Sequence, residues 1–234
     1  MIGRWQLVWI GLIIILIYIN YRTCSREEAN SPRSQGGKTS YETAIERFDP
    51  LEYHSKRADA YEADKSLEMA REEYEKVIKI NPDDSAAHSH LGAVYYKMGM
   101  TEEAISEIKE VLKIDPENWV QREALANLYH KQGKLDIAIQ EYEEALRCNP
   151  DNALGHSLLG KAYYEKGYYS FAIGEYKKSM EIDPTLGETQ LGLGLCYLAT
   201  GDMDGALRQK QKLEALNKKD LFRQLSDAIE KVAK

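Results

Sequence analysis

Ser85–Asn118 reads SAAHSHLGAVYYKMGMTEEAISEIKEVLKIDPEN, and its spacing recurs along most of the chain. A step of 34 residues carries Asp115-Pro116 forward to Asn149-Pro150 and Asp183-Pro184, and back to Asn81-Pro82. In the same frame Tyr61, Tyr95, Tyr129, Tyr163 and Tyr197 fall in one column, and Ala70, Ala104, Ala138, Ala172 and Ala206 in another. A column of small residues runs Ala58, Gly92, Ala126, Gly160 and Gly194, and a fourth holds Gly99, Gly133, Gly167 and Gly201. A period of this length marks stacked units, none of which buries its apolar face alone. Glycine in mid-unit suits a left-handed helix cap, so each unit is two helices. The small column lets the paired helices approach closely, and the Tyr and Leu columns fill the space between successive pairs. Proline closes each second helix, because it cannot continue the hydrogen-bond ladder.

These residues resemble the tetratricopeptide repeat (TPR) family, whose eight-position signature stands here as Leu91-Gly92, Tyr95, Ala104 and Pro116 and returns almost as fully in the next two units. The resemblance implies an all-α, right-handed superhelix of five repeats over 51–84, 85–118, 119–152, 153–186 and 187–220. A capping helix over 221–234 would shield the last apolar face from water. Both end repeats depart from the pattern: the first has Arg57 for Leu and Lys65 for Gly, the fifth Lys210 for an aromatic or Ile and Lys218 for Pro.

The family's first helices line a concave surface. The matching positions here supply Ser89, Tyr96 and Lys97, then Glu123, Asn127, His130 and Lys131, then Ser157, Lys161 and Tyr164, and last Leu191, Leu195 and Leu198. With Glu52, Asp59 and Glu62 at the near end, this surface grades from acidic through mixed aromatic to apolar, which suits a peptide or protein partner with basic and apolar portions. The three leucines fit equally well beneath the end helix. The family's two-carboxylate clamp of Lys, Asn and Arg finds no match from any of the first three repeats; Asp59 or Glu123 would repel the carboxylates such a clamp holds.

Ahead of the repeats, Trp5 to Tyr21 is an apolar run with only Gln6 and Asn20 as polar interruptions near its ends. As a helix it would rise about 25 Å, slightly short of the roughly 30 Å hydrocarbon core of a bilayer. Trp5, Trp9, Tyr18 and Tyr21 sit near its ends as interfacial aromatics do, so residues 1–22 read as a single transmembrane anchor. The following Asn20-Tyr21-Arg22-Thr23-Cys24 offers no small-x-small cleavage site of a signal peptide. Arg4 before the run resembles the head of a signal-anchor and would export the repeats. Arg22, Arg26 and Arg33, offset by Glu27 and Glu28, leave the positive-inside count undecided. Residues 23–40 have no large apolar side chain and read as a flexible linker. Tyr41, Ile45 and Phe48 share a helical face within a lead-in helix over 41–50.

The 234 residues hold 31 Lys plus Arg against 38 Asp plus Glu, a net charge of −7, which argues against a nucleic-acid partner. Residues 208–234 run against this balance, and Arg208, Lys210, Lys212, Lys218 and Lys219 read as a solvated end cap before an acidic or lipid contact. His54, His88 and His156 share the fourth repeat position. Equivalent helices lie about 10 Å apart, too far to share a zinc ion with bonds of about 2 Å. Cys148 and Cys196 read as packing residues, while Cys24 is either an acylation site or a plain exposed thiol. No catalytic residue, metal site or cofactor is expected. The whole reads as a membrane-anchored interaction scaffold, with a permanent accessory subunit of a larger membrane complex as the alternative.

Overall fold

Residues 49–233 are described by the structure, a computed structural model. The expected anchor with Trp5, Trp9, Tyr18 and Tyr21, the linker, and residues 41–48 of the lead-in helix lie outside the described residues. Among the described residues there are eleven α-helices and no strand: α1 (Pro50–Ala63), α2 (Leu67–Ile80), α3 (Ser85–Lys97), α4 (Thr101–Ile114), α5 (Trp119–Lys131), α6 (Leu135–Cys148), α7 (Ala153–Glu165), α8 (Tyr169–Ile182), α9 (Gly187–Ala199), α10 (Met203–Ala215) and α11 (Lys219–Val232). None of them is long and apolar enough to cross a membrane.

Two kinds of turn, each written in the sequence, generate the solenoid. Within a pair the chain reverses over three residues. Gly99 adopts φ 79°, its N–H donates to the Tyr96 carbonyl at 3.0 Å, and the Met100 N–H donates to the Tyr95 carbonyl at 2.9 Å. These are the two bonds of a Schellman cap. In the first pair Lys65 takes this conformation at φ 61°, where an L residue pays about 1–2 kcal/mol that glycine avoids. Between pairs, Asp115 is held near φ −130° and ψ 89°, the extended geometry that a following proline imposes, and Pro116 ends the ladder. The next helix is then capped. Asn118 accepts from the Gln121 N–H at 3.2 Å, as Asp84 does from Ala87 at 2.9 Å and Asn152 from Gly155 at 3.0 Å.

The core follows the columns. Ala58, Ala70, Ala104, Ala126, Ala138, Ala172 and Ala206 are fully buried where paired helices cross, and Leu91, Leu125, Leu159 and Leu193 are buried beside them. The column tyrosines pack more loosely, with hydroxyls reaching back to the preceding second helix: Tyr95 donates to Glu75 at 3.1 Å and Tyr163 to Glu143. The polar tip stays wet while the ring seals the seam.

Both ends differ from expectation. Pro50, expected to close a lead-in helix, is the first residue of α1, a position that suits proline because the N–H it lacks would go unpaired there. At the far end α11 begins at Lys219, two residues earlier than the expected 221. Lys218 replaces the helix-stopping proline, and Asn217 at φ 53° makes a left-handed cap. Its N–H donates to Glu214 at 2.9 Å and the Lys218 N–H to Leu213 at 3.0 Å. The last connection is therefore the within-pair turn. It swings α11 onto α9 and α10, where Leu225 is fully buried.

Candidate functional site

The first helices α3, α5 and α7 enclose a groove of about 760 Å³, within the range of ligand-sized pockets. Its floor is apolar, made of Gly92, Ala93, Ala124, Leu128 and Leu158 with Ile108 reaching up from α4, and its rim is polar. Ser89, Tyr96, Asn127, His130, Lys131, Lys161 and Glu165, all at inward-facing positions of their repeats, line it, joined by Gln121.

The others are placed elsewhere. Lys97 is bound to Glu62 at 2.7 Å. Glu123 is half-buried and accepts from Asn152 at 2.6 Å; burial raises its pKa, and the Asn152 bond offsets that only in part. Ser157 is buried and accepts from Thr189 at 3.0 Å, so its hydroxyl belongs to the α7–α9 seam. Tyr164 is half-buried against Tyr169, ring centroids 5.6 Å apart. Leu191, Leu195 and Leu198 are half-exposed on α9 beyond the pocket. Ideal Cβ atoms on Gly187 and Gly194 would meet Leu221 and Leu225 of α11, and Leu191 and Leu198 share that face by helical spacing.

A ladder of side chains joins the first helices. The twelfth position of each of the first three repeats meets the thirteenth of the next, 35 residues on: Glu62 with Lys97, Tyr96 with Lys131, and His130 with Glu165 at 2.8 Å. Lys131 also lies 4.6 Å from the centre of the Tyr96 ring, a cation–π contact. The acidic near end is thus internally satisfied. Burial pushes the Glu62 pKa up, but hydrogen bonds from Lys97 and Tyr74 and the charges of Lys97 and His90 outweigh it, leaving Glu62 below the usual carboxylate value. Tyr74 donates to Asp59 at 2.7 Å and to Glu62 at 3.0 Å.

Tyr74 stands in a column with Ile108, Tyr142 and Tyr176. In the first and third repeats the tyrosine is buried and its hydroxyl reaches the groove side, Tyr142 donating to Asn127 at 2.6 Å. In the second repeat Ile108 is shorter, and Ala93 stands where Asp59 and Asn127 supply the acceptor. The apolar floor lies where that ring and its partner are missing. The break that Ile108 makes in the tyrosine column is visible in the sequence.

The shared histidines have a structural task. His88 Nδ1 lies 2.6 Å from Glu107 and its Nε2 2.9 Å from the Pro82 carbonyl; His156 repeats this with Glu175 at 2.7 Å and Pro150 at 2.9 Å. Arg122 makes the equivalent bonds to Glu141 at 3.0 Å and Pro116 at 2.9 Å. His88, Arg122 and His156 thereby each tie their helix to its pair partner and to the preceding turn. No group of three His, Cys, Asp or Glu among the described residues is placed to hold a metal ion. Cys196 is fully buried, and burial pushes its thiol pKa up to about 12, which keeps it protonated and unreactive.

Two family models match the chain. One, described as TPR repeat, matches residues 58–99 and 126–167, and the other, described as tetratricopeptide repeat, matches 85–118. The chain contains tetratricopeptide repeats. Among solved structures, a crystal structure of MamA protein is 24% identical with a TM-score of 0.68, over 73% of this chain and 94% of that one. MamA from Desulfovibrio magneticus RS-1, from residue 41 to the end, is 19% identical with a TM-score of 0.69, over 74% and 97%. YrrB, described as a TPR protein with an unusual peptide-binding site, is 19% identical with a TM-score of 0.68, over 80% and 98%. At these identities the likeness is one of fold. No curated protein matches the chain.

Proposed function

We propose that this protein is an interaction scaffold, without chemistry of its own, that holds a peptide or protein partner in the concave groove of its TPR solenoid. Residues 5–21 anchor it in a membrane, with the repeats on the extracytoplasmic side, where it recruits or assembles a membrane-associated complex. The observation that carries the reading is the groove itself: an apolar floor within a polar rim, built by the first helices of three successive repeats. The peptide-binding site named for YrrB, on the same fold, supports it.

The test is affinity purification of the full-length tagged protein in mild detergent, with mass spectrometry of what co-purifies. Ala93→Arg with Ala124→Arg would fill the floor and is expected to remove the partners while leaving the melting temperature within a few degrees. An unchanged partner set would move the interface elsewhere. Replacing residues 5–21 with an unrelated anchor should leave partners bound; their loss would instead identify a fixed subunit held within the membrane.

A further inference from the structure

The solenoid is acidic, yet its charge is segregated between the two helix sets. Helices α4, α6 and α8 hold ten acidic residues against five basic, whereas α3, α5 and α7 hold four basic against two acidic. Those two acidic residues are engaged: Glu123 is half-buried on Asn152, and Glu165 is held by His130. The lysines that line the groove are less well matched. No carboxylate among the described residues pairs with Lys131, whose ammonium rests on Tyr96, and the one nearest Lys161 is Glu165 at 4.0 Å. A partner with basic portions, as the sequence alone suggests, would meet these two ammonium groups. An acidic partner is complementary to them.

Beside the lysines lies the apolar notch over Ile108. Its size follows from the repeat: it is the space that a tyrosine ring occupies in the first and third repeats, left open by Ile108 and Ala93. An aliphatic or aromatic side chain from outside would restore the packing that the other repeats make internally.

We propose that the groove takes an acidic segment of a partner protein, with one large apolar side chain over Ile108 and two flanking carboxylates on Lys131 and Lys161. This deepens the groove reading above and rests on it. Lys131 and Lys161 sit on first helices of successive repeats, whose axes lie about 10 Å apart, so the pair suits two carboxylates, one for each ammonium. Two acidic side chains about three or four residues apart in an extended segment span that distance.

The experiment is fluorescence anisotropy on the full-length protein with labelled serine-glycine nonapeptides, acetylated and amidated at their ends. One peptide has glutamate at its third and seventh positions and phenylalanine at the centre; a second has alanine at the centre; a third has lysine for both glutamates. The phenylalanine peptide is expected to bind at least tenfold tighter than the alanine peptide, with affinity falling as salt rises, and the lysine peptide not to bind. Ile108→Tyr, which installs the residue of the neighbouring repeats, should weaken binding at least tenfold at an unchanged melting temperature. Ala93→Leu fills the same notch from α3 and is the check if Ile108→Tyr is unstable. Lys131→Gln with Lys161→Gln should weaken binding as much. Equal binding of the lysine peptide, undiminished binding by both notch variants, or no binding of any peptide up to about 1 mM overturns the proposal. If the peptides fail while Ala93→Arg with Ala124→Arg still removes the co-purifying partners, the groove reading stands and the acidic, apolar-anchored partner falls.

Discussion

His88 shows how one residue type comes to recur along this chain. Both its ring nitrogens face acceptors, so the imidazolium satisfies two bonds where the neutral ring satisfies one. Burial disfavours the charge, but the hydrogen bonds to Glu107 and the Pro82 carbonyl and the charges of Glu107 and Glu110 outweigh it and raise the pKa above the ordinary histidine value. A group with a raised folded pKa stabilises fully below its unfolded value, about 6.5, and loses that stabilisation as pH climbs through the folded value. The thermal midpoint should therefore decline as pH rises above about 6.5. His88→Gln keeps a donor to Pro82, as Gln190 donates to Pro184 at 2.7 Å, but removes the charge. It should lower the midpoint at pH 6 and flatten the decline above it, measured by circular dichroism melts across pH. A decline of the same size in the variant would place its origin elsewhere. His54, His88 and His156 stand in register in the sequence, but the register does not disclose their purpose. The partner carboxylate lies 19 residues on, in a column that reads separately as a solvated helix face.

At the scale of the helix, small residues set the distances. An ideal Cβ on Gly192 would lie 2.3 Å from Cζ and 2.5 Å from Oη of Tyr176, whose ring is buried between α8 and α9. Gly192→Ala should destabilise by about 1–3 kcal/mol through overpacking, and Tyr176→Phe in the same chain should recover part of this by removing the hydroxyl. Denaturant melts of the single and double variants check the pairing; equal stability of Gly192→Ala and the parent would mean that the α8–α9 seam adapts freely. The helix pairs were legible in advance because glycine, proline and alanine act locally, and each carries its backbone consequence with it. The end of the array was not. Lys218 removed the proline that marks the between-pair turn, and the left-handed role fell to Asn217, which composition alone does not single out from the surrounding lysines.

For the molecule as a whole, the groove was legible in position and less so in chemistry. The resemblance named positions that point inward, and Ser89, Tyr96, Asn127, His130, Lys131 and Lys161 line the pocket. Which of the inward charges remain available depends on pairs 35 residues apart in neighbouring repeats, a relation that no single repeat displays. Lys97 is consumed by Glu62, whereas Lys131 meets only a tyrosine, and this difference turns the expected charge of the partner from basic to acidic. The claim on which all else depends is that the groove, and not the outer face, is the working surface. The most direct measurement places a photo-crosslinking amino acid at Ala93 in the groove and, separately, at Phe171, which is 65% exposed on α8, in the full-length protein within its native cells. A discrete partner adduct from position 93, with none from 171, is the predicted result; adducts from 171 alone would contradict the account.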